Sequence, residues 1–277
     1  LFLATRALII ALKNTDGPLP IEAVRSHSIN GLFYTEMGRR YGEMVDALHE
    51  NGDDDELPMP FSLAPLHREG YFTGLRVGTL QAEFGQRVAE VWGALAAQEA
   101  EVRLGSAQLI VEKVKPPKFP RATSYRDLLT DAEIAHGVWL RFETPMRLTI
   151  HSKPEVLPLP SAMWEFYAKR WSCYADIELP PNFLTWVEHT VRTKEATIDM
   201  RMGYIEGDDT WSGTMGDVSY HTFTNGTGIP KSRVPEYLQA WQALAFLAEF
   251  CGTGQKATMG MGRTRRVGTF GPYRGSE

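Results

Sequence analysis

Cysteine is scarce in this chain. Cys173 and Cys251 are the only two among 277 residues. They stand in no C-x-x-C and no zinc-ligand spacing, which excludes a disulfide framework and a thiolate metal cluster. Reduced thiols of a cytoplasmic protein are the expectation. Long apolar runs are also missing: no stretch reaches the roughly 18 residues of a membrane span, so no membrane partner is expected. The opening LFLATRALIIAL has no charged leader and no convincing cleavage site, which argues against a secretory signal and for a first core strand. The chain starts on Leu1 rather than methionine, as an excised domain or a chain lacking its true start would. A Walker A loop is absent, because no Gly-Lys-Ser/Thr occurs. Overall positive charge is absent too: the formal net charge is −5, which excludes a generic nucleic-acid sponge but not a local basic groove.

What is present is uneven. A hydrophobic fraction of 43% supports a real core, and the length suits one large or two modest domains. Between Lys113 and Arg126 lie Lys115, Lys118 and Arg121, with no carboxylate until Asp127. Between Glu50 and Glu56 lie Asp53, Asp54 and Asp55, with no base. That acidic run reads as a solvated loop; its spacing is not that of an EF-hand, and no metal site is assigned to it.

The richest segment is Phe250–Arg266, FCGTGQKATMGMGRTRR. Gly252, Gly254, Gly260 and Gly262 alternate with Lys256, Arg263, Arg265 and Arg266. Glycine permits positive φ and close approach of a ligand to the main chain. Turns of this kind build anion-binding concavities, and Arg and Lys add charge suited to phosphate oxygens. The parts suit gripping a phosphodiester backbone. Gly252, Gly254 and Ala257 also satisfy G-x-G-x-x-A, but that fingerprint needs a strand before it, and Leu238, Trp241, Leu244, Ala245 and Ala248 recur at helical spacing instead. The plain alternative is a glycine turn ending that helix, with Gly252 at its C′ position and a solvated basic tail.

Strands are expected at Leu3–Leu12, Pro58–Leu66 and Gln108–Val114, and helices over Ile21–Glu50 and Thr79–Ala97. Gly31, Gly38 and Gly42 argue against one unbroken helix in the first of these. After the proline-containing KPPKFPRATSYR, strands are expected at Val138–Phe142, Met146–Ile150, Ile198–Tyr204 and Asp217–Phe223, and helices at Ser161–Tyr174 and Pro235–Phe250. Each half runs strand, helix, strands, helix, strand. The expected fold class is α+β, two tandem ferredoxin-like (RRM-like) domains with antiparallel sheets, divided as residues 1–118 and 119–277. The seven tryptophans are expected mainly in the core, with one or two placed to stack on bases.

The ending LAEFCGTGQKATMGMGRTR resembles the C-terminal glycine-rich loop of the CRISPR repeat-processing endoribonucleases of the RAMP superfamily. INGLFYTEMGRRYGEMVDALHENG followed by LPMPFSLAPL resembles that family's arrangement of a tyrosine, a leucine-histidine and a Phe-Ser-Pro-Leu string. FETPMRLTI and LPLP also sit where the family carries similar strings. The resemblance implies two ferredoxin-like domains side by side, cleavage of precursor CRISPR RNA within each repeat, and no metal and no other cofactor. It implies CRISPR repeat RNA as the partner, with CRISPR effector complex subunits and a second copy of the chain as further partners, in a prokaryotic cytoplasm. The alternative within the superfamily is a non-catalytic subunit that holds guide RNA.

The implied chemistry is in-line attack of the 2′-hydroxyl, leaving a cyclic phosphate and a 5′-hydroxyl. Histidine suits the proton transfer. His49 stands in the leucine-histidine string and Tyr34 matches the upstream tyrosine, so these are the implied catalytic pair. Lys256, Arg263, Arg265 and Arg266, with Gly252, Gly254, Gly260 and Gly262, form the implied RNA-binding loop, joined by Lys115, Lys118 and Arg121 of the basic stretch. His49 also reads as an ordinary helix-end histidine, Tyr34 as core, Tyr41 as a substitute for Tyr34, and His67 as a rival catalyst. On one straight helix Tyr34 and His49 would lie about 22 Å apart, so the pairing requires a break near Gly38 or Gly42. Where some members place a lysine shortly after the histidine, this chain has ENGDDDELP; Arg39 or Arg40 is the nearest substitute.

Overall fold

The computed structural model describes residues 5–51, 58–118, 123–202, 211–223 and 229–273. Arg121 and most of the acidic run fall outside them. The first half runs β1 (Arg6–Asn14), α1 (Ser26–Asn51), β2 (Phe61–Arg68), β3 (Tyr71–Thr79), α2 (Ala82–Ala97), β4 (Glu101–Leu104) and β5 (Ala107–Lys115). The sheet order is β2-β3-β1-β5-β4, antiparallel throughout. The second half runs α3 (Tyr125–Thr130), β6 (Ala135–Met146), a small hairpin of β7 (Leu148–Ile150) and β8 (Lys153–Glu155), α4 (Pro160–Tyr174), α5 (Phe183–Thr190), β9 (Val191–Met202), β10 (Ser212–Thr222), α6 (Val234–Cys251) and β11 (Thr264–Pro272). Its sheet order is β11-β6-β10-β9. In both sheets the first strand lies between the last strand and a hairpin, the ferredoxin-like order, as expected from the element pattern.

Several elements differ from their sequence-based bounds. Val138–Phe142 and Met146–Ile150 were expected as two strands; β6 instead runs unbroken to Met146, because Phe142 and Thr214–Gly216 keep the ladder going through a bulge. Strand β9 begins at Val191, seven residues before its expected start, and is exposed along almost its whole length. Its ladder with β10 defines it. Strand β3, which periodicity had not singled out, fills the place beside β1.

Each half has its own aromatic core. In the first, Phe33 stacks on Phe61 at 4.9 Å, and Phe61 on Phe84 at 5.2 Å. In the second, Trp164 stacks on Trp241 at 5.3 Å and donates its indole N–H to the Trp241 carbonyl. Six tryptophans are buried and Trp139 is half-buried. One joint between the halves is the end of α6. The Ser62 hydroxyl donates to the Phe250 carbonyl at 2.7 Å, and a Cβ on Gly78 would lie 2.1 Å from that same oxygen. Glycine at 78 is thus what lets α6 sit down on β3. Both cysteines are free; burial pushes the Cys251 thiol up to about 12. No helix among the described residues is long and apolar enough to cross a membrane.

Candidate active site

Helix α1 is broken at Tyr41, whose φ of −131° and ψ of 53° are not helical. The break is sharp. A Cβ on Gly38 would lie 3.9 Å from Val45, whereas residues seven apart on a straight helix are separated by about 10 Å along the axis. Helix α2 fixes the break: the Tyr41 hydroxyl donates to Glu90 at 2.8 Å, and the Arg40 and Arg87 guanidiniums lie 5.6 and 5.2 Å from its ring. The Glu90 carboxylate also accepts from Gln86 at 3.0 Å.

The consequence is that Tyr34 and His49 meet. Their ring centroids are 4.3 Å apart with an interplanar angle of 33°. Tyr34 is 8% exposed and wedged edge-on against Phe33 and Phe61, while His49 lies at the surface on top of it. The core position of Tyr34 and its contact with His49 are one arrangement: the packed phenol ring seats the imidazole.

The glycine loop lies one helical turn away. Asn30, four residues before Tyr34, donates to the Thr258 carbonyl at 3.1 Å, and a Cβ on Gly260 would touch Pro65 and Ile29. Gly252 ends α6 with φ 67°, its N–H on the Ala248 carbonyl. A 3-10 turn at Ala257–Met259 and then β11 follow, so the fingerprint's strand-loop-helix context is absent. The glycines answer to internal crowding. A Cβ on Gly254 would lie 2.2 Å from the Arg147 carbonyl, and one on Gly262 1.8 Å from the Thr253 carbonyl. The N–H groups of Thr253, Gln255, Met259, Met261 and Gly262 all donate to carbonyls within the protein. The loop is a rigid, largely buried turn, with Lys256 half-exposed at its rim.

The basic residues after the loop diverge. The Nε atoms of Arg263 and Arg265 share one carboxylate, Glu143, at 2.8 and 3.2 Å. Arg263 lines a cleft of about 840 Å³ between β2 and the open face of the second sheet, together with Arg141, Arg201 and His67. Arg266 turns to the helical side, its guanidinium 5.2 Å from the Phe246 ring and its N–H on Glu249 at 2.7 Å. Glu249 is buried; its desolvation pushes the carboxyl up to about 7, opposed by nearby Arg76 and by the Arg266 N–H. Arg76, buried on β3, is lowered to about 10 by the same desolvation and by Arg263, and its Nη2 has no hydrogen-bond partner among the described residues.

Other candidates lie apart. Lys115 and Lys118 are exposed at the end of β5. Strand β5 is three strands from β2 in the sheet, roughly 14 Å from the loop's side. His67 is six residues along β2 from Phe61, roughly 20 Å from the Tyr34 side, and faces the cleft. Arg39 pairs with Glu36 at 2.6 Å and Arg40 lies 3.9 Å from Glu90. Sequence reasoning missed Arg76, Glu143 and Glu249, since no spacing signal links an arginine on β3 to carboxylates on β6 and α6. Among the described residues no cluster of three or more metal-type ligands forms.

Comparison with known proteins places this geometry in context. The family model described as CRISPR-associated endoribonuclease Cas6 matches residues 140–264. A comparison with curated protein sequences finds no match. Among solved structures, a Thermus thermophilus Cas6 in a product complex is similar with a TM-score of 0.77 at 20% identity, covering 95% of this chain and 99% of that one. A Cas6 in a substrate mimic complex is similar with a TM-score of 0.71 at 23% identity, over 95% and 98% of the two chains. A Cas6-related protein from Pyrococcus furiosus is similar with a TM-score of 0.59 at 13% identity, over 95% and 98%. The sequence match falls in the second half, and the architecture along nearly the whole length is similar to that of solved Cas6 structures.

Proposed function

We propose that the chain is an endoribonuclease that binds CRISPR repeat RNA and cuts precursor CRISPR RNA without a metal ion. The observation that carries the reading is the contact of Tyr34 with His49 across the break in α1, one helical turn from the glycine loop. His49 exchanges a proton with the 2′-hydroxyl or the leaving 5′-oxygen. Tyr34 holds the imidazole in place and is a hydrogen-bond donor for the attacking hydroxyl or the phosphate. Lys256 supplies positive charge where the phosphorane forms. Attack of the 2′-oxygen on phosphorus expels the 5′-oxygen, leaving a 2′,3′-cyclic phosphate and a 5′-hydroxyl. Arg263 and Arg265 share only one carboxylate between them, so the start of β11 retains net positive charge for the RNA backbone. Lys115 and Lys118 serve a separate, peripheral contact with the same RNA, Arg121 of the same basic stretch is assigned to RNA binding from sequence, and the two domains divide at residues 118 and 119.

A second reading, a non-catalytic subunit that holds guide RNA, is favoured by one feature. No lysine stands in the ENGDDDELP stretch just after His49, and both substitute arginines, Arg39 and Arg40, face carboxylates instead. The first reading therefore predicts slow or single-turnover cutting. Incubation of the purified chain with end-labelled repeat RNA of its own locus in excess EDTA separates the two. A discrete product ending in a cyclic phosphate supports the nuclease; tight binding without a product supports the guide-holding subunit.

A further inference from the structure

Trp139 is the one tryptophan outside the core, and it sits in a group of rings on the open face of the second sheet. Phe270 on β11 lies 6.1 Å from Trp139 and 6.0 Å from His221 on β10, nearly parallel to the imidazole at 24°. Phe223, 60% exposed, stands edge-on to His221 at 5.0 Å. Strand register puts Phe270, Gly137, His221 and Arg192 in one row across four strands. Gly137 makes the group possible: a Cβ there would lie 2.2–2.4 Å from three atoms of the Phe270 ring. Among the described residues these rings cover no element, and the tyrosine–histidine site does not use them.

We propose that this face is a stacking platform for unpaired RNA bases, with Trp139, Phe270, His221 and Phe223 as the stacking surface. The proposal rests on the reading of the chain as a binder of repeat RNA. Charge favours that occupant over a protein. The Lys194 ammonium lies 4.6 Å from the Phe270 centroid and makes no ion pair among the described residues. Arg192 shares its strand, while Glu195 adds one carboxylate. Asp217 is held bidentately by Arg141 at 2.6 and 2.8 Å, and Glu143 is shared by two arginines. The His221 imidazole is shifted down by burial and by the neighbouring His136 and Lys194, a direction that favours the uncharged ring. Position also favours RNA. Arg141, two residues along β6 from Trp139, lines the interdomain cleft, so a strand leaving the cleft along this sheet meets the rings next. Stacking of bases on aromatic faces is sequence-tolerant, and long side-chain cations beside the rings neutralise the accompanying phosphates.

The test compares wild type with Phe270→Leu, Phe270→Tyr and Trp139→Leu in binding fluorescein-labelled single-stranded repeat RNA and a blunt RNA duplex of equal length. Leucine keeps apolar bulk and removes the aromatic face; tyrosine keeps it. The expected result is roughly tenfold weaker binding of the single strand for each leucine variant, retention within about twofold for Phe270→Tyr, and unchanged duplex binding. Wild-type affinity in both leucine variants overturns the platform while leaving the RNA reading intact. Equal losses on single strand and duplex also overturn it, as does a face that proves to be a dimer contact, seen as a leucine-variant monomer with unchanged RNA affinity. Failure of wild type to bind either RNA removes the RNA reading itself. A 4-thiouridine repeat RNA that crosslinks to the peptide carrying Trp139 or Phe270 supports the platform even if a leucine variant does not fold.

Discussion

At the scale of single residues, burial and charge pull against each other most strongly where α6, β3 and β11 meet. Glu249 is the sharpest case. Its carboxyl is pushed up to about 7 from an ordinary 4.5, so between those pH values the folded protein holds a proton that the unfolded chain releases. Stability from this group therefore falls as pH rises through that window. Glu249→Gln removes the titration and keeps an acceptor for the Arg266 N–H. Wild type is expected to lose roughly 2–3 kcal/mol relative to the variant between pH 5 and pH 8, read by urea unfolding at both values. A difference independent of pH would contradict this. Such a group leaves no trace in sequence, because its partners come from three distant elements. The contact of His49 with Tyr34 was legible, but only through motif resemblance; a straight helix would have put them too far apart. The loop glycines were legible as special, yet their main physical cause differs from the one the charge pattern suggested. They answer to carbonyls at Arg147 and Thr253 as well as to any ligand.

At the scale of elements, the break in α1 decides whether Tyr34 and His49 meet. Three glycines pointed to an interruption, and it falls at Tyr41, beside Gly42. The residue that breaks the helix is also the one that α2 grips, through Glu90. Tyr41→Phe removes that grip without changing ring packing. It is expected to slow repeat cleavage several-fold while RNA affinity holds, because only the placement of His49 over Tyr34 loosens. Single-turnover rates alongside filter binding check this; an equal fall in affinity would mean that Tyr41 serves the RNA directly. Strong helices such as α2 and α6 were readable from their apolar spacing. Strand β3 was not, because Gly74, Arg76 and Gly78 interrupt its apolar run for reasons of tertiary packing. Strand β9 was read short, since an exposed edge strand needs no apolar alternation and takes its form from its ladder.

At the scale of the whole molecule, the two ferredoxin-like units bring the candidate residues of both halves close because the end of α6 is seated on the first sheet and the glycine loop packs on α1 and β2. The element order was enough to anticipate the paired units. The seating was not, as it depends on a missing side chain at Gly78. Gly78→Ala forces the Phe250 carbonyl away and should cost at least about 1–3 kcal/mol, visible as a lower melting temperature. An unchanged melting temperature would show that this close seating of α6 on β3 contributes little to the joint between the halves. The central claim is that the folded-back α1 makes His49 the proton-transfer residue of an RNA-cutting site. Its most direct test is the single-turnover cleavage rate of repeat RNA in excess EDTA for wild type and His49→Ala, with RNA affinity measured in parallel. The account predicts a fall of at least about a hundredfold in rate with affinity held within a few-fold; an undiminished rate in the variant would contradict it.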